Sequence, residues 1–363
     1  MSLKDRILRG VGCIAAVAMI VNVSVANGQG VDEIAMYKGH DRQQRLLEGA
    51  QKEGGQVTIY SSMIVDQALR PLLDGFQVKY PFMKPQYVRE DPPQQLQKIS
   101  AEARANRRVG DVVESTGIET SIRAANLNQQ FWSPELEAYA PDRRDPENYW
   151  APTRMSYIGA CHNTNLVKSA EAPRSFEDVL DPKWTNKLVW SGNIFGGVLF
   201  IIGARNFMGE AKADAYLERL SRQNIVNVPS ANRTVVDQVL AGEYTICLDA
   251  FLHHPIISAR KGAPVASIPW DPIITMASSV MLPRSAPHPH GAMLFIDFLL
   301  SKEGQSKLQG ADYFPARPDV PANVDLDAVV PRKLGMKENF ITPARFAADV
   351  KKSREIYERL FVK

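Results

Sequence analysis

The chain has 363 residues, a formal net charge of +3 at pH 7 and 23% charged residues. This length exceeds what one hydrophobic core usually holds, so we expect two lobes. The weak net charge argues against a nucleic-acid partner, because phosphate binding needs a clustered basic surface.

The first segment has the charge order of an export signal. Lys4, Arg6 and Arg9 precede a mostly apolar run, residues 11–26, which ends in small residues. A membrane-spanning helix needs about 20 apolar residues, so a cleaved secretory signal peptide is favoured over a retained anchor. We predict that residues 1–28 are this signal peptide and that the mature protein is periplasmic. Removing the segment subtracts three basic residues and one acidic residue, which leaves a net charge of +1.

The next part of the chain alternates helical and extended patterns. After a helical lead-in at 41–53, the pattern predicts strands at 57–60, 86–88 and 111–113, with helices at 66–80 and 93–106 between them. Alternation of this kind predicts a parallel sheet, which binds ligands at the carboxyl ends of its strands. Four hydroxyl residues occupy those ends: Ser61, Ser62, Ser115 and Thr116.

A long extended stretch, 150–163, then leads into a second alternating set. It comprises strands at 187–191, 225–228 and 244–248, with helices at 197–207, 211–221 and 234–241. A second extended run, 277–283, is predicted to return the chain to the first lobe, followed by an amphipathic helix at 291–300.

Two extended segments that cross between two α/β lobes predict a pair of lobes joined by a hinge. We predict that residues 30–155 and 278–320 form lobe 1, and that residues 156–277 form lobe 2. Residues 321–363 are predicted to be a helical extension packed on the lobes. Cys161 and Cys247 both lie in apolar runs, and the sequence leaves open whether they form a disulfide or two separate buried thiols.

An ordered set of short motifs carries a family resemblance. It runs through Val57-Thr58-Ile59-Tyr60, Gly110-Asp111-Val112-Val113, Asn163-Thr164-Asn165-Leu166, Asp181-Pro182-Lys183-Trp184, Ala241-Gly242-Glu243-Tyr244, Arg260-Lys261-Gly262-Ala263-Pro264 and Phe298-Leu299-Leu300-Ser301-Lys302-Glu303-Gly304-Gln305. Over residues 56–317 the chain resembles the family 1 bacterial extracellular solute-binding proteins, in particular their ferric-ion-binding branch.

The resemblance implies the type 2 periplasmic-binding fold: two α/β lobes, each a sheet flanked by helices, joined by two extended hinge crossings. It further implies capture of a small-molecule solute in the cleft and delivery to the permease of an inner-membrane ABC importer. We expect a monomer that is not an enzyme and uses no cofactor.

The resemblance also bears on the solute. Iron-binding members use a histidine after the first strand, a glutamate after the third strand and two adjacent tyrosines after a later strand. The corresponding places here hold Ile64, Thr116, Leu252 and His253. Ferric ion favours phenolate and carboxylate oxygen, so this set argues against iron bound in the family's usual manner.

The remaining cleft candidates are mostly neutral hydrogen-bond donors. Helix starts near several of them add unpaired N–H groups and a positive dipole end, which suit an anion. We therefore predict a small organic anion, namely a carboxylate, phosphate ester or phosphonate. The predicted ligand-binding residues are Ser61, Ser62, Ser115, Thr116, Asn193, Gly196, Gly197, Ser230, Asn232, Arg233, Asp249, His253 and His254.

Several of these residues have an alternative role. Asn232 lies where the resemblance implies an asparagine that helps to hold an accompanying anion, while Arg233 fits either a ligand contact or a surface position. Asp249 either accepts a hydrogen bond from the ligand or caps a turn. His253 and His254 either contact an anion or ligate a metal, so uptake of ferric or divalent metal, free or chelated, is the alternative function.

A catalytic function has little support in the sequence. None of the candidate serines lies in a Gly-x-Ser-x-Gly elbow, and the chain has no His-Glu-x-x-His motif and no Gly-rich nucleotide loop with lysine. A secreted hydrolase is the remaining enzymatic alternative, and it rests on composition alone. His288-Pro289-His290 resembles a metal pair, but its Pro-rich context favours a solvated loop.

Overall fold

The computed structural model describes residues 33–362, and the predicted signal peptide lies outside these residues. The described part is a mixed α/β structure in which helices flank one large sheet. The helices are α1 Arg42–Lys52, α2 Arg70–Lys79, α3 Pro92–Arg104, α4 Glu119–Ala124, α5 Gly197–Met208, α6 Glu210–Leu220, α7 Asn232–Leu240, α8 His253–Arg260, α9 Pro289–Leu300, α10 Lys302–Gly310, α11 Val324–Asp327, α12 Pro331–Leu334 and α13 Pro343–Phe361. A π-helical turn, Val65–Leu69, runs directly into α2.

Twelve strands of the described residues form the sheet. They are β1 Gln56–Ser61, β2 Lys84–Arg89, β3 Val112–Ser115, β4 Asn128–Gln129, β5 Ala151–Asn163, β6 Leu188–Ser191, β7 Val226–Val228, β8 Ile246–Phe251, β9 Val265–Ile268, β10 Ile273–Pro283, β11 Phe314–Pro315 and β12 Glu338–Phe340. The order is β2-β1-β3-β10-β5-β8-β6-β7, and β4, β9, β11 and β12 pair with β5 or β10 beside this path.

Parallel strands occupy both ends of the sheet, and antiparallel pairs occupy its middle. The strand β1 is parallel to β2 and β3, and β6 is parallel to β7 and β8. Between these groups, β10 and β5 run antiparallel to each other over most of their length. These are the two extended crossings that the sequence predicts, and they connect two α/β halves.

Each half has its own hydrophobic core. One core contains β1 with α2 and α9, including the fully buried Phe76 and Phe295. The other contains β6, β8 and α5, including the fully buried Trp190 and Phe200. The last helix, α13, adds Tyr357 and other apolar side chains to this second core. The predicted lobe boundaries and the separate carboxyl-terminal extension stay a prediction.

Two predicted elements have different limits in the structure. The helix predicted at 66–80 begins with the π-helical turn, and the strand predicted at 244–248 is β8, Ile246–Phe251. Gly242 has a left-handed φ of 83°, so the chain completes a turn before this strand starts. The strand β8 begins two residues and ends three residues later than predicted, and Leu252 separates it from the histidine pair.

Cys161 and Cys247 are buried free thiols on neighbouring strands. Cys161 of β5 lies directly opposite Cys247 of β8, and both side chains are fully buried. Cys247 Sγ donates a weak hydrogen bond to Asp249 Oδ1 at 3.1 Å. Within residues 33–362, no helix combines the length and apolar character needed to cross a membrane.

Candidate functional site: a cationic cavity at the strand ends

A cavity of about 390 Å³ lies where the carboxyl ends of the parallel strands from both halves meet. Residues after β1, β2 and β3 line one side, and residues after β6, β7 and β8 line the other, as parallel sheets favour. The lining residues are Ser62, Ile64, Arg89, Asp91, Pro92, Pro93, Thr116, Arg154, Ser156, Asn193, Ile194, Phe195, Ala231, Asn232, Arg233, Phe251, His253, His254, Ser278 and Tyr313.

Seven of the thirteen predicted ligand-binding residues line this cavity. They are Ser62, Thr116, Asn193, Asn232, Arg233, His253 and His254. The other six predicted residues lie behind the lining: Ser61, Ser115, Gly196, Gly197, Ser230 and Asp249. Their hydrogen bonds and packing show what each of them does instead.

Ser61 and Ser115 end their strands with the side chain turned into the protein. Both residues are fully buried, and Ser61 Oγ donates to Glu114 Oε2 at 2.7 Å. The residue that follows each serine lies beyond the end of its strand and reaches the cavity. These followers are Ser62 and Thr116.

Asp249 is a buried structural acceptor. Its Oδ2 accepts from the backbone N–H of Ser191 at 2.9 Å, and the residue is fully buried. Burial raises the pKa of this carboxyl to about 7, although the hydrogen bonds from Cys247 and Ser191 act in the opposite direction. The carboxyl therefore joins β8 to the end of β6 beneath the cavity.

The remaining three residues shape the turn after β6. The carbonyl oxygen of Ser230 accepts from Ser191 Oγ and from Asn193 Nδ2, at 2.5 and 3.2 Å. A Cβ on Gly196 would lie 2.1 Å from the carbonyl oxygen of Ser191, and one on Gly197 would lie 2.6 Å from the ring of Tyr357. Glycine is required at both positions because the backbone and a ring approach so closely.

Arg154 on β5 is the central charged side chain of the cavity. Its Nε donates to Glu114 Oε1 at 3.2 Å, and its Nη2 donates to Ser62 Oγ at 3.0 Å. The guanidinium also lies over the Tyr313 ring, 4.9 Å from the ring centroid. The Arg154 side chain is 14% exposed and that of Glu114 is 1% exposed, so the ion pair is largely removed from water.

Glu114 fixes the orientation of this guanidinium. Besides Arg154, its carboxylate accepts hydrogen bonds from Ser61 Oγ and, at 3.3 Å, from the backbone N–H of Ser62. Thr153 Oγ1 adds a longer contact at 3.4 Å. A carboxylate held by this many donors directs Arg154 toward the cavity, and several hydroxyl groups line the same space. Thr116 and Ser278 contribute two of them, with their Oγ atoms 2.7 Å apart.

The second cationic group is Arg233, at the start of α7. Its Nη2 contacts Asp237 Oδ1 at 2.6 Å and Ser258 Oγ at 3.0 Å, while Nη1 donates to the carbonyl oxygen of His254. Arg89 also lines the cavity and pairs with Asp91 at 3.0 Å. Arg154, Arg233 and Arg89 therefore all border the same space.

The two histidines are neutral at physiological pH. Burial lowers the pKa of His253 to about 3, and the positive charges of Arg154 and Arg233 lower it further. Burial also lowers the pKa of His254 well below its usual range, together with the neighbouring His253. At both rings the positive charge of Arg233 thus acts in the same direction as burial.

Asn232 uses its donors inside the protein. Its Nδ2 donates to the carbonyl oxygen of Asp249 at 3.0 Å and to that of Phe195 at 3.3 Å. Asn193 makes a similar internal bond, because its Oδ1 accepts from the backbone N–H of Phe195 at 2.8 Å. Both asparagines thereby hold the loop that brings Phe195 to the cavity.

The places that the resemblance assigns to iron ligands have mixed environments. Ile64, Thr116 and His253 line the cavity, whereas Leu252 is fully buried in the protein. Within residues 33–362, no group of three or more His, Cys, Asp or Glu side chains is arranged to hold a metal ion.

The other histidine pair does not form the solvated loop that the sequence favours. His288 Nδ1 lies 3.0 Å from Asp111 Oδ2, and His290 Nδ1 lies 2.6 Å from Glu53 Oε1. Each imidazole is only partly exposed and contacts its own carboxylate. The two rings therefore stabilise separate contacts at the start of α9.

The sequence reasoning missed several lining residues. Arg89 ends β2 and Asp91 lies just beyond it, at a strand end that the same topological argument covers, so this signal was present. Arg154, Ser156 and Ser278 lie on the crossing strands, and Tyr313 precedes β11. Neither a position along a crossing strand nor one in the segment before β11 shows that a residue faces the cleft, so these four needed the structure.

Comparison with known proteins identifies the family. A family model described as bacterial extracellular solute-binding protein matches residues 102–336, which is more than half of the chain. The chain belongs to this family. The family assignment agrees with the resemblance that the motifs carry, and it is a family of solute-binding proteins.

Solved structures confirm the fold of this solute-binding protein. The periplasmic binding protein AfuA of Actinobacillus pleuropneumoniae, with fructose-6-phosphate bound, is 21% identical, with a TM-score of 0.71. The match covers 85% of this chain and 98% of AfuA. A Trichodesmium protein in complex with iron and citrate is also 21% identical, with a TM-score of 0.71, covering 85% of this chain and all of its own. These similarities show the predicted type 2 periplasmic-binding fold.

A curated relative matches part of this solute-binding protein. A Salmonella typhi protein with the provisional name of a 2-aminoethylphosphonate-binding periplasmic protein is 27% identical over 187 residues. The match covers 48% of this chain and 54% of the relative, so the chain spans about half the length of that relative.

Proposed function

We propose that this protein is the periplasmic solute-binding component of an ABC importer and that it captures a small organic anion bearing a phosphonate or phosphate group. The anion occupies the cavity between the two halves, and the protein performs no chemistry on it. The protein acts as a monomer that delivers the solute to an inner-membrane permease. Family membership supports the transport role.

The observation that carries the choice of solute is the setting of Arg154. Two of its nitrogens bond to Glu114 and Ser62, and in the described residues no protein acceptor bonds to Nη1. A phosphonate oxygen suits this remaining donor, because charge-assisted bonds from guanidinium to phosphate-type oxygen are among the strongest in proteins. The hydroxyls of Thr116 and Ser278 bond to each other on the same lining, and the one that accepts keeps its own O–H for a ligand.

Two named ligands of similar proteins support the same chemistry. The relative's name specifies an aminoethylphosphonate, and the AfuA structure contains a sugar phosphate. Both are organic anions with a tetrahedral phosphorus group. The predicted carboxylate stays a possible member of the ligand class, but two phosphorus ligands favour the tetrahedral group.

The alternative function is metal capture through His253 and His254. Neutral imidazole is the metal-binding form, and both rings are neutral. However, the positive field of Arg154 and Arg233 that lowers the pKa of His253 also repels a divalent or trivalent cation. The anion is therefore favoured over a bare metal ion.

Isothermal titration calorimetry tests the proposal. The protein is unfolded, dialysed to remove any retained solute, refolded and titrated with propylphosphonate, fructose 6-phosphate, zinc ion and ferric citrate. We expect the phosphorus anions to bind and zinc not to bind. Binding of zinc or ferric citrate, with no response to either phosphorus anion, would refute the anion assignment.

A matched pair of arginine variants adds a control. Arg154→Met removes the proposed anion contact, whereas Arg143→Met removes an arginine outside the cavity that pairs with Glu338 at 2.7 Å. Charge-assisted bonds contribute about 1.5–3 kcal/mol each, so Arg154→Met should weaken anion binding by at least about tenfold. Arg143→Met should leave the affinity unchanged.

A further inference from the structure

The cavity combines its cationic groups with a substantial apolar lining. Six apolar side chains from both halves contribute: Ile64, Pro92, Pro93, Ile194, Phe195 and Phe251. Ile64 is 47% exposed, and it belongs to the few large hydrophobic residues of the described chain that are exposed. An apolar side chain exposed inside a binding cavity gains free energy when a ligand removes it from water, about 25 cal/mol per Å² of apolar surface.

The acidic groups near the cavity are already paired. Asp91 lines the cavity, but its side chain is 62% exposed and bonds to Arg89 at 3.0 Å. Glu114 lies behind the lining with its carboxylate directed to Arg154 and Ser61. A ligand ammonium group would lose its hydration without gaining a desolvated carboxylate.

The cationic groups act against the same ammonium. Arg89, Arg154 and Arg233 border the cavity, each paired with a carboxylate, and the charges of Arg154 and Arg233 still act on the partly buried ring of His253. Like charges in a partly desolvated cleft repel one another more strongly than in water. A positive substituent on the solute would therefore lie in an unfavourable potential next to apolar walls.

We infer that the preferred solute carries its anionic group on an uncharged, apolar body, so that alkyl- and arylphosphonates or the matching phosphate monoesters bind better than aminoalkyl ones. The inference rests on the proposed function and specifies its substrate class. It differs from the ligand named for the Salmonella typhi relative, whose aminoethyl group is cationic. The cavity of about 390 Å³ equals roughly 13 water volumes of about 30 Å³, which accommodates a ring-sized body.

A pair of isosteric ligands tests the inference. Propylphosphonate and 2-aminoethylphosphonate have the same chain length and differ in a terminal methyl or ammonium group. Calorimetry on the refolded, solute-free protein should give at least tenfold tighter binding for propylphosphonate, and phenylphosphonate should also bind more tightly than the aminoethyl compound. Equal or tighter binding of 2-aminoethylphosphonate overturns the inference while the proposed function stands. Binding of neither phosphonate nor phosphate monoester overturns both.

A gain of affinity provides an independent check. Ile64→Asp places a carboxylate on the apolar lining, at an exposed side chain whose loss does not open the core. We expect this variant to raise the affinity for 2-aminoethylphosphonate, relative to that for propylphosphonate, by about tenfold. Val78→Asp is the matched control, because Val78 is 79% exposed on α2 and lies outside the cavity. An unchanged ratio in Ile64→Asp, or the same shift in Val78→Asp, contradicts the inference.

Discussion

Removing the guanidinium of Arg154 should have separable effects on stability and on binding. In Arg154→Met an apolar side chain of similar length replaces the cation, and the Glu114 carboxylate loses its partner at 3.2 Å. Two unit charges at this distance attract by about 5 kcal/mol at an effective dielectric constant of about 20. Breaking a buried ion pair from one side costs about 3–5 kcal/mol, because the remaining charge stays buried.

A second substitution separates the two effects. Arg154→Met combined with Glu114→Gln removes the stranded carboxylate, and neutral replacements of similar volume for a buried ion pair are often nearly neutral in stability. We therefore expect Arg154→Met to lower the free energy of unfolding by about 3 kcal/mol, and the double variant to recover most of this loss. The double variant still lacks the guanidinium, so phosphonate affinity should remain reduced by about 10- to 100-fold.

Urea unfolding and calorimetry measure the two quantities on the same preparations. The double variant should unfold close to the wild-type midpoint and still bind propylphosphonate weakly. If it binds as tightly as wild type, Arg154 does not contact the anion. If it is as unstable as the single variant, the stranded charge of Glu114 is not the source of the destabilisation.

Three further predictions concern residues around the cavity. Burial raises the pKa of Asp249 to about 7, so between about pH 4 and pH 7 the folded protein holds a proton that the unfolded chain has released. The stability that this group contributes is full at low pH and falls by about 1 kcal/mol per pH unit as the pH rises to 7. Urea unfolding of Asp249→Asn should lack this decrease of stability with pH. Gly196→Ala should cost more than about 2 kcal/mol in a thermal melt because its Cβ meets a backbone carbonyl at 2.1 Å, whereas Gly310→Ala, with nothing within 4 Å, should change stability by less than about 0.5 kcal/mol. Asn232→Ala removes two internal hydrogen bonds and should lower stability by about 1–2 kcal/mol, and equal chemical denaturation curves would contradict that role.

The alternation of elements allowed the fold to be predicted from sequence. The strands that became β1, β3 and β6 and both crossings follow from apolar periodicity, and the strand-end rule directs attention to Ser62 and Thr116. The sequence did not show which side chains at the strand ends are buried, because two adjacent hydroxyl residues give no indication of which one faces inward. The structure resolves this for Ser61 and Ser62, since the first bonds to Glu114 and the second lines the cavity.

Long-range pairing was the part that sequence could not provide. Arg154 and Glu114 are separated by 40 residues. From sequence alone, an arginine on an extended strand is as compatible with a surface position as with a buried ion pair. The role of Asp249 depends on its bond to the backbone of Ser191, on a different strand. The first contact arises only after the sheet order places β3, β10 and β5 side by side, and the second only after it places β8 beside β6.

The pairing of Glu114 with Arg154 also relates the fold to the choice of solute. The resemblance implies a cation-binding glutamate after the third strand, and this place holds Thr116. The carboxylate of this chain lies two residues earlier, on β3, where it is 1% exposed and bound to Arg154. Because the negative charge is inside and the guanidinium borders the cavity, the same edge of the sheet presents positive charge to the solute. This placement of charge supports the proposed anion over a cation as the solute.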